Sequence, residues 1–205
     1  MTQPFRIAVF ASGSGTNFQA IVDAVASGKL DVIVELLVCD RPQAPVVDRA
    51  KQAGVNTFVF RPKDYTTREQ YEAEIIAELR ARQIDLIVMA GYMRLITDTL
   101  VQPYYGRIVN IHPSLLPAFP GVNSIGQALN YGVKITGVTV HFVDGGLDSG
   151  PVIAQRSVEI SANDTEASLA DRIHALEHEL YPQTIAWFRD GRVRLDGRKV
   201  LIRVQ

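Results

Sequence analysis

Residues 5–22 read FRIAVFASGSGTNFQAIV. The run FRIAVFA shows no polar alternation, SGSGTN at 12–17 interrupts it with two glycines, and Phe18, Ile21, Val22 and Val25 then recur at helical spacing. A strand covered on both faces needs no alternation, so the stretch reads as a buried strand, a tight loop and a crossover helix. DVIVELLVC at 31–39 supplies a second strand of the same kind, completing a βαβ wind.

Outward from that unit the alternation continues. Pro45 opens a helix, TFVF is a strand, and a further helix starts at about Thr66, where Thr66 and Glu69 form a capping box ahead of Tyr71, Ile75 and Leu79. IDLIVMA and RIVNI are strands, and a short helix runs from Ser124 to Tyr131 and stops at Gly132. TGVTVHFV alternates, with Val138, Val140 and Phe142 on one face and Thr139 and His141 on the other. PVIAQ follows, then a long helix from about Thr165 with Leu169, Ile173, Leu176 and Leu180 as its buried stripe. RVRLDGRKVLI is a hairpin turning at Asp196 and Gly197. The expectation is an α/β protein: one domain over 1–205, a Rossmann-like, open, mostly parallel sheet with helices on both faces. In such sheets ligands lie outside the carboxyl ends of the strands.

The bulk numbers narrow the class. The 205 residues carry 21 basic and 22 acidic side chains, a balance that offers no positive surface for nucleic acid. The opening residues lack a basic start followed by a long apolar stretch, and Glu35 interrupts VIVELLVC far short of a membrane span. A single cysteine, Cys39, cannot form an internal disulfide, which agrees with a reducing compartment, so a soluble cytoplasmic protein is expected. Its expected partners are small-molecule substrates and no membrane, and its expected state a monomer or weak homodimer.

SGSGTN places backbone N–H groups at a helix start, where an anion can bind. It lacks the third glycine of a dinucleotide loop, since position 18 is Phe18, and the GK[ST] of a P-loop, so a single phosphate suits it better. A turn that merely needs glycine is the plain alternative. Arg68, in the first turn of its helix, opposes the dipole and suggests a second anion contact, or a pairing with Asp64.

IVNIHPSLLPAFPG at 108–121 ends an apolar strand on Asn110 and His112, which strand alternation directs to the same side. A histidine exchanges protons near neutrality and an Asn amide can donate to a developing oxyanion, which together suit attack of an amine on a carbonyl. Asp148, in a loop with three glycines, is the carboxylate that would orient the ring and raise its pKa, with Asp144 as competitor. A core histidine and a turn aspartate are the ordinary readings of those residues taken singly. HALEH at 174–178 matches the HxxEH zinc pattern, but beyond the adjacent Glu179 the hairpin-like tail offers only Asp190 and Asp196 as a third ligand, so no metal is expected.

ASGSGTNFQAI, MAGYMRLI, GRIVNIHPSLLPAFPG, GVTVHFVDGGLDSGPVIAQ and EHELYP together resemble the folate-dependent formyltransferase superfamily over nearly the full length, and within it the phosphoribosylglycinamide formyltransferases of purine biosynthesis. Formyltetrahydrofolate hydrolases of the superfamily usually carry a second His directly after the first, where this chain has Pro113. Methionyl-tRNA formyltransferases differ after SLLP. The resemblance implies a single formyltransferase domain, with a phosphate-binding half at 1–107 and a half carrying the catalytic residues and folate loop at 108–205. It implies formyl transfer from 10-formyltetrahydrofolate to an amine without a metal, with Asn110, His112 and Asp148 catalytic. Gly15, Thr16 and Asn17 would hold the substrate phosphate and Glu177 its amine. Arg68, Met93, Arg94, Leu95, Ile96, Asn110 and Asp144 would contact folate, which replaces the phosphate reading of Arg68. VNSIG departs from the family at Asn123, where many members carry His or Asp, in a segment resembling the family's mobile loop. Two other readings compete: hydrolysis of the formyl donor on the same fold, and a non-catalytic sensor of a phosphorylated metabolite that uses the glycine loop alone.

Overall fold

The apolar run after Phe5 forms the strand Arg6–Phe10 (β1), whose last four side chains are fully buried, and the glycine loop delivers the chain into the helix Thr16–Ala26 (α1). The structure, a computed structural model, describes residues 3–204. The chain divides into two compact units, Met1–Val109 and Asn110–Gln205.

In the first unit the strands Ile33–Cys39 (β2), Asn56–Val59 (β3) and Leu86–Met89 (β4) join β1 in the order β3-β2-β1-β4, all parallel. With α1, the helices Pro45–Gln52 (α2) and Arg68–Ala81 (α3) connect them, Asp98–Val101 (α4) follows β4, and single 3-10 turns lie at Pro62–Asp64 and Gln102–Tyr104. Parallel strands cannot be joined by tight turns, so each crossover carries a helix, which buries an apolar stripe: Phe18 and Ile21 from α1, Val46 and Val47 from α2, Ile75 and Leu79 from α3. Each such side chain contributes about 1.5–3 kcal/mol on burial.

The strand Ile108–His112 (β5) carries the chain into the second unit, where Ile135–Phe142 (β6) and Val152–Glu159 (β7) follow in the order β5-β6-β7. β6 and β7 pair antiparallel, so the sheet is mostly but not wholly parallel. Ser124–Tyr131 (α5) ends at Gly132 in the left-handed region, and Glu166–Arg189 (α6) begins at a Thr165 cap that accepts from Ser168 N. Leu169, Ile173, Leu180 and Ile185 of α6 are buried along with Val138, Val140 and Phe142 of β6, and Phe142 meets Phe188 edge to face at 5.6 Å. The hairpin pairs Val193–Asp196 (β8) with Lys199–Ile202 (β9).

Three local expectations shift. The cap of α3 is Thr67, not Thr66, with Gln70 in place of Glu69: Gln70 Oε1 accepts from both Thr66 N (2.9 Å) and Thr67 N (3.4 Å), a reach that starts the helix at Arg68. The hairpin turn is Gly197–Arg198, because Asp196 stays in the ladder opposite Lys199 and Gly197 supplies the positive φ. On α6, Leu176 is only half-buried, and the inward stripe passes through Glu177, Tyr181 and Thr184.

Candidate active site

β6 explains how an apolar strand can end on functional groups. Two of its polar positions, Thr139 and His141, are buried, and each is hydrogen-bonded to a residue of the β5 end or the turn that follows it. Thr139 Oγ1 donates to Ser114 O (2.7 Å) and accepts from Leu116 N (3.0 Å), fixing the turn after His112. His141 Nδ1 lies 2.8 Å from Phe142 O, and since a carbonyl only accepts, the proton sits on Nδ1. Nε2 is then the acceptor for Asn110 Nδ2 at 3.2 Å. Burial pushes the His141 pKa down; the Phe142 carbonyl and the Asp148 charge act the other way and His112 adds to the lowering. A neutral ring is the form that can accept from Asn110. One amide N–H of Asn110 is thereby committed, which orients the other.

Asp148 adopts φ +48°, a left-handed conformation that Asp tolerates better than most side chains. Its Oδ2 accepts from Gly121 N (2.7 Å) and lies 3.5 Å from His112 Nδ1, while Oδ1 lies 3.7 Å from His141 Nε2. Asp144 braces the same loop by accepting from Gly146 N (3.0 Å) and Ser149 Oγ (2.7 Å). Gly150 is required there, since a Cβ would stand 1.8 Å from Phe142 O. Asn110, His112 and Asp148 thus gather around His141, and Asp144 holds the loop of the carboxylate.

The second ring nitrogen of His112 is engaged as well. Nε2 donates to Phe119 O at 2.9 Å, from a residue whose own φ is +52°. Phe119 packs edge on against Tyr131 at 5.8 Å, and Asn123 precedes α5 at φ +54°, a conformation open to Asn. Glu177 is buried on α6 one turn before Tyr181, whose hydroxyl is pushed up by burial and by the Glu177 charge. His178 is held down by burial, with His174 adding. Among the described residues no group of three or more His, Cys, Asp or Glu is placed to hold a metal.

In the first unit, Gly15 precedes α1 at φ +74°, and a Cβ on it would stand 2.5 Å from Val46 Cγ2, so glycine lets the loop lie against α2. Thr16 and Asn17 open α1, whose first N–H groups have no intrahelical acceptor. Arg49 of α2 donates to Ser14 O (2.8 Å) and to Gln19 Oε1 (3.2 Å), bringing a cation to the loop. Arg68 is exposed at the start of α3. Between β4 and α4, Met93 and Leu95 are exposed, Ile96 is half-buried, and Arg94 Nε donates to Asp40 Oδ2 at 2.8 Å.

Sequence reasoning missed His141, Arg49, Asp40 and the Phe119 carbonyl. His141 and Asp40 carried a signal: one sits on the polar face of an apolar strand, the other directly follows one. Nothing in the sequence pointed to a backbone carbonyl 7 residues from His112.

An amide, an imidazole and a carboxylate brought together beside a strand end can stabilise an oxyanion and exchange a proton, which is what transfer of an acyl-level carbon between nucleophiles requires. The chain belongs to the formyl transferase family, whose profile matches residues 5–185. It is similar to phosphoribosylglycinamide formyltransferase of Bacillus subtilis (strain 168), 52% identical over 180 residues, 88% of this chain and 92% of that protein. Crystal structures of glycinamide ribonucleotide transformylase 1 share its fold. The Symbiobacterium toebii structure superposes with a TM-score of 0.94 at 44% identity, covering 97% of this chain and 94% of that one. For the Geobacillus kaustophilus structure the TM-score is 0.89 at 59% identity, covering 91% and 99%. The α/β class with a mostly parallel sheet, read from the sequence, is the fold of these structures.

Proposed function

We propose that this enzyme transfers the formyl group of 10-formyltetrahydrofolate to the amine of 5-phosphoribosylglycinamide, a step of purine biosynthesis. The names and high identity of its relatives support this acceptor. The observation that carries the chemistry is the Asp148 carboxylate lying 3.5 Å from His112 and 3.7 Å from His141, with Asn110 bonded to the latter.

The acceptor amine attacks the formyl carbon, and the carbonyl electron pair moves to oxygen. The uncommitted N–H of Asn110 and the Nε2 proton of His112 stabilise that oxyanion, a term typically worth 10²- to 10³-fold per donor, about 2.7–4 kcal/mol. Nε2 is free to do so once it leaves Phe119 O. The C–N bond to folate then breaks as its nitrogen gains a proton and the former amine loses one, giving tetrahydrofolate and the formylated product. Asp148 holds His112 in the orientation this needs. Gly15, Thr16 and Asn17 would hold the acceptor phosphate, with Arg49 adding charge, and Glu177 would receive the amine. Arg68, Met93, Arg94, Leu95, Ile96 and Asp144 would border the folate.

The test is the rate of tetrahydrofolate formation with and without the acceptor. Acceptor-dependent turnover with stoichiometric formylated product is expected. Equal release of formate in its absence would replace transfer by hydrolysis of the donor, and no turnover at all would leave a binding module.

A further inference from the structure

Two buried carboxylates hold the segment between β4 and α4, and the chemistry above uses neither. Asp40, directly after β2, accepts from Ser12 Oγ at 2.5 Å through Oδ1 and from Arg94 Nε at 2.8 Å through Oδ2. Ser12 Oγ in turn accepts from Met93 N at 2.9 Å. At the other end, Glu72 of α3 accepts from Thr97 N at 2.8 Å through Oε1 and from the Thr97 hydroxyl through Oε2. Thr97 then accepts from Thr99 N at 3.2 Å and caps α4. Residues 91–97 are therefore anchored near both ends by side chains with almost no solvent exposure.

Even a well-bonded buried carboxylate is often no more stabilising than an apolar residue of the same volume, so two of them serving one short loop call for a reason beyond filling space. The loop between them supplies one. Met93 and Leu95 stand 60% and 55% exposed, so apolar side chains project to solvent from a backbone that is fixed. A core loop would turn such residues inward. Held outward, they form a preorganised apolar wall, which lowers the ordering cost of binding a flat ligand.

We infer that Asp40 and Glu72 are positioning residues for the co-substrate: they hold Tyr92–Ile96 rigid as one wall of the site for the folate heterocycle, acting through Arg94, Met93 and Thr97 without touching the ligand. This deepens, and rests on, the folate reading above. Ser12 and Thr97 are the hydroxyl links of the two anchors.

The test compares Asp40→Asn and Glu72→Gln with the parent enzyme. Asp40→Asn loses the charge facing Arg94, and Glu72→Gln can accept from only one of the two Thr97 donors. Kd for tetrahydrofolate is read by titration calorimetry, and kcat and KM for donor and acceptor from initial rates. Tetrahydrofolate Kd and donor KM are expected to rise about 5- to 20-fold, the effect of losing one or two hydrogen bonds of ordinary net strength. Acceptor KM and kcat stay within about twofold, since remote binding contacts act uniformly on ground and transition states. If either acid variant fails to fold, Ser12→Ala and Thr97→Val remove one link each and should show the same split at smaller size. Unchanged tetrahydrofolate affinity in all variants, or parallel changes in kcat and both KM values, would overturn the inference, as would a parent enzyme that does not bind tetrahydrofolate. A parent that binds tetrahydrofolate but shows no acceptor-dependent turnover would instead sink the transfer reading, while the binding data still judge the anchors.

Discussion

His141→Phe removes both ring nitrogens from a side chain only 2% exposed while keeping a flat ring of similar size. Two bonds go: Nδ1 to Phe142 O at 2.8 Å and Nε2 to Asn110 Nδ2 at 3.2 Å. A buried group left without a partner costs about 1–3 kcal/mol. The Phe142 carbonyl suffers that fully, whereas half-buried Asn110 can turn toward water, so a total loss of about 2–4 kcal/mol is expected. For a domain of this size that is about 4–16 °C in Tm. Catalysis should suffer more specifically. Without its acceptor the Asn110 amide is free to rotate, and most of the 10²- to 10³-fold worth of an oxyanion donor goes with it. At 25 °C, with folded variant and saturating substrates, kcat should fall about 30- to 300-fold while both KM values change less than about threefold. The decisive assay is a double-mutant cycle: Asn110→Ala should cost little in the His141→Phe background, because residues acting as a unit are not additive. A kcat near that of the parent, or an Asn110→Ala penalty undiminished by His141→Phe, would refute the orienting role.

Three further outcomes follow from the same geometry. The native pKa of His141 lies below its ordinary value of 6.5, so the unfolded chain binds the proton first; this contribution to stability is complete above about pH 6.5 and is lost as pH falls toward the native value. Denaturation midpoints from pH 5 to 8 should therefore drop more steeply on the acid side for the parent than for His141→Phe, and identical profiles would contradict it. Gly15→Ala meets Val46 Cγ2 at 2.5 Å and strains a φ of +74°, so stability should fall by at least about 1–3 kcal/mol and acceptor KM should rise; a variant with unchanged Tm would show that the loop yields. Cys39 is buried, and burial is the main cause of its raised thiol pKa, so a disulfide reagent should titrate it slowly in the native protein and fully in denaturant. Rapid native reaction would contradict that placement.

Apolar periodicity was enough to read β1, α1 and β2, because both faces of a parallel strand and one stripe of a helix are set by burial alone, while α2 and α5 were legible from Pro45 at the start of one and Gly132 at the end of the other. Boundaries decided by single side-chain contacts were less legible: at the start of α3 it is Gln70 Oε1 that reaches the Thr66 and Thr67 N–H groups, a matter of geometry, not pattern. The four-residue α4 was invisible, being too short to show a period and dependent on Thr97, which itself depends on distant Glu72. Asn110 and His112 could be found because polar residues are conspicuous at the end of an apolar strand. His141 lies 31 residues from the amide it orients, and the alternation of β6 gave only a polar face without saying what that face holds. The tip of the hairpin shows the same limit, since Arg198 donates to Ser149 O at 2.8 Å beside Asp148, a contact with no local signature.

The most direct measurement is kcat for acceptor-dependent tetrahydrofolate formation by purified, folded His112→Ala. A fall of about 10²- to 10³-fold, with far-ultraviolet circular dichroism and Tm close to the parent's, is the predicted result for a residue whose Nε2–H hydrogen-bonds the reacting oxyanion. Turnover within a few-fold of the parent would mean that the imidazole at the end of β5 takes no part in the reaction.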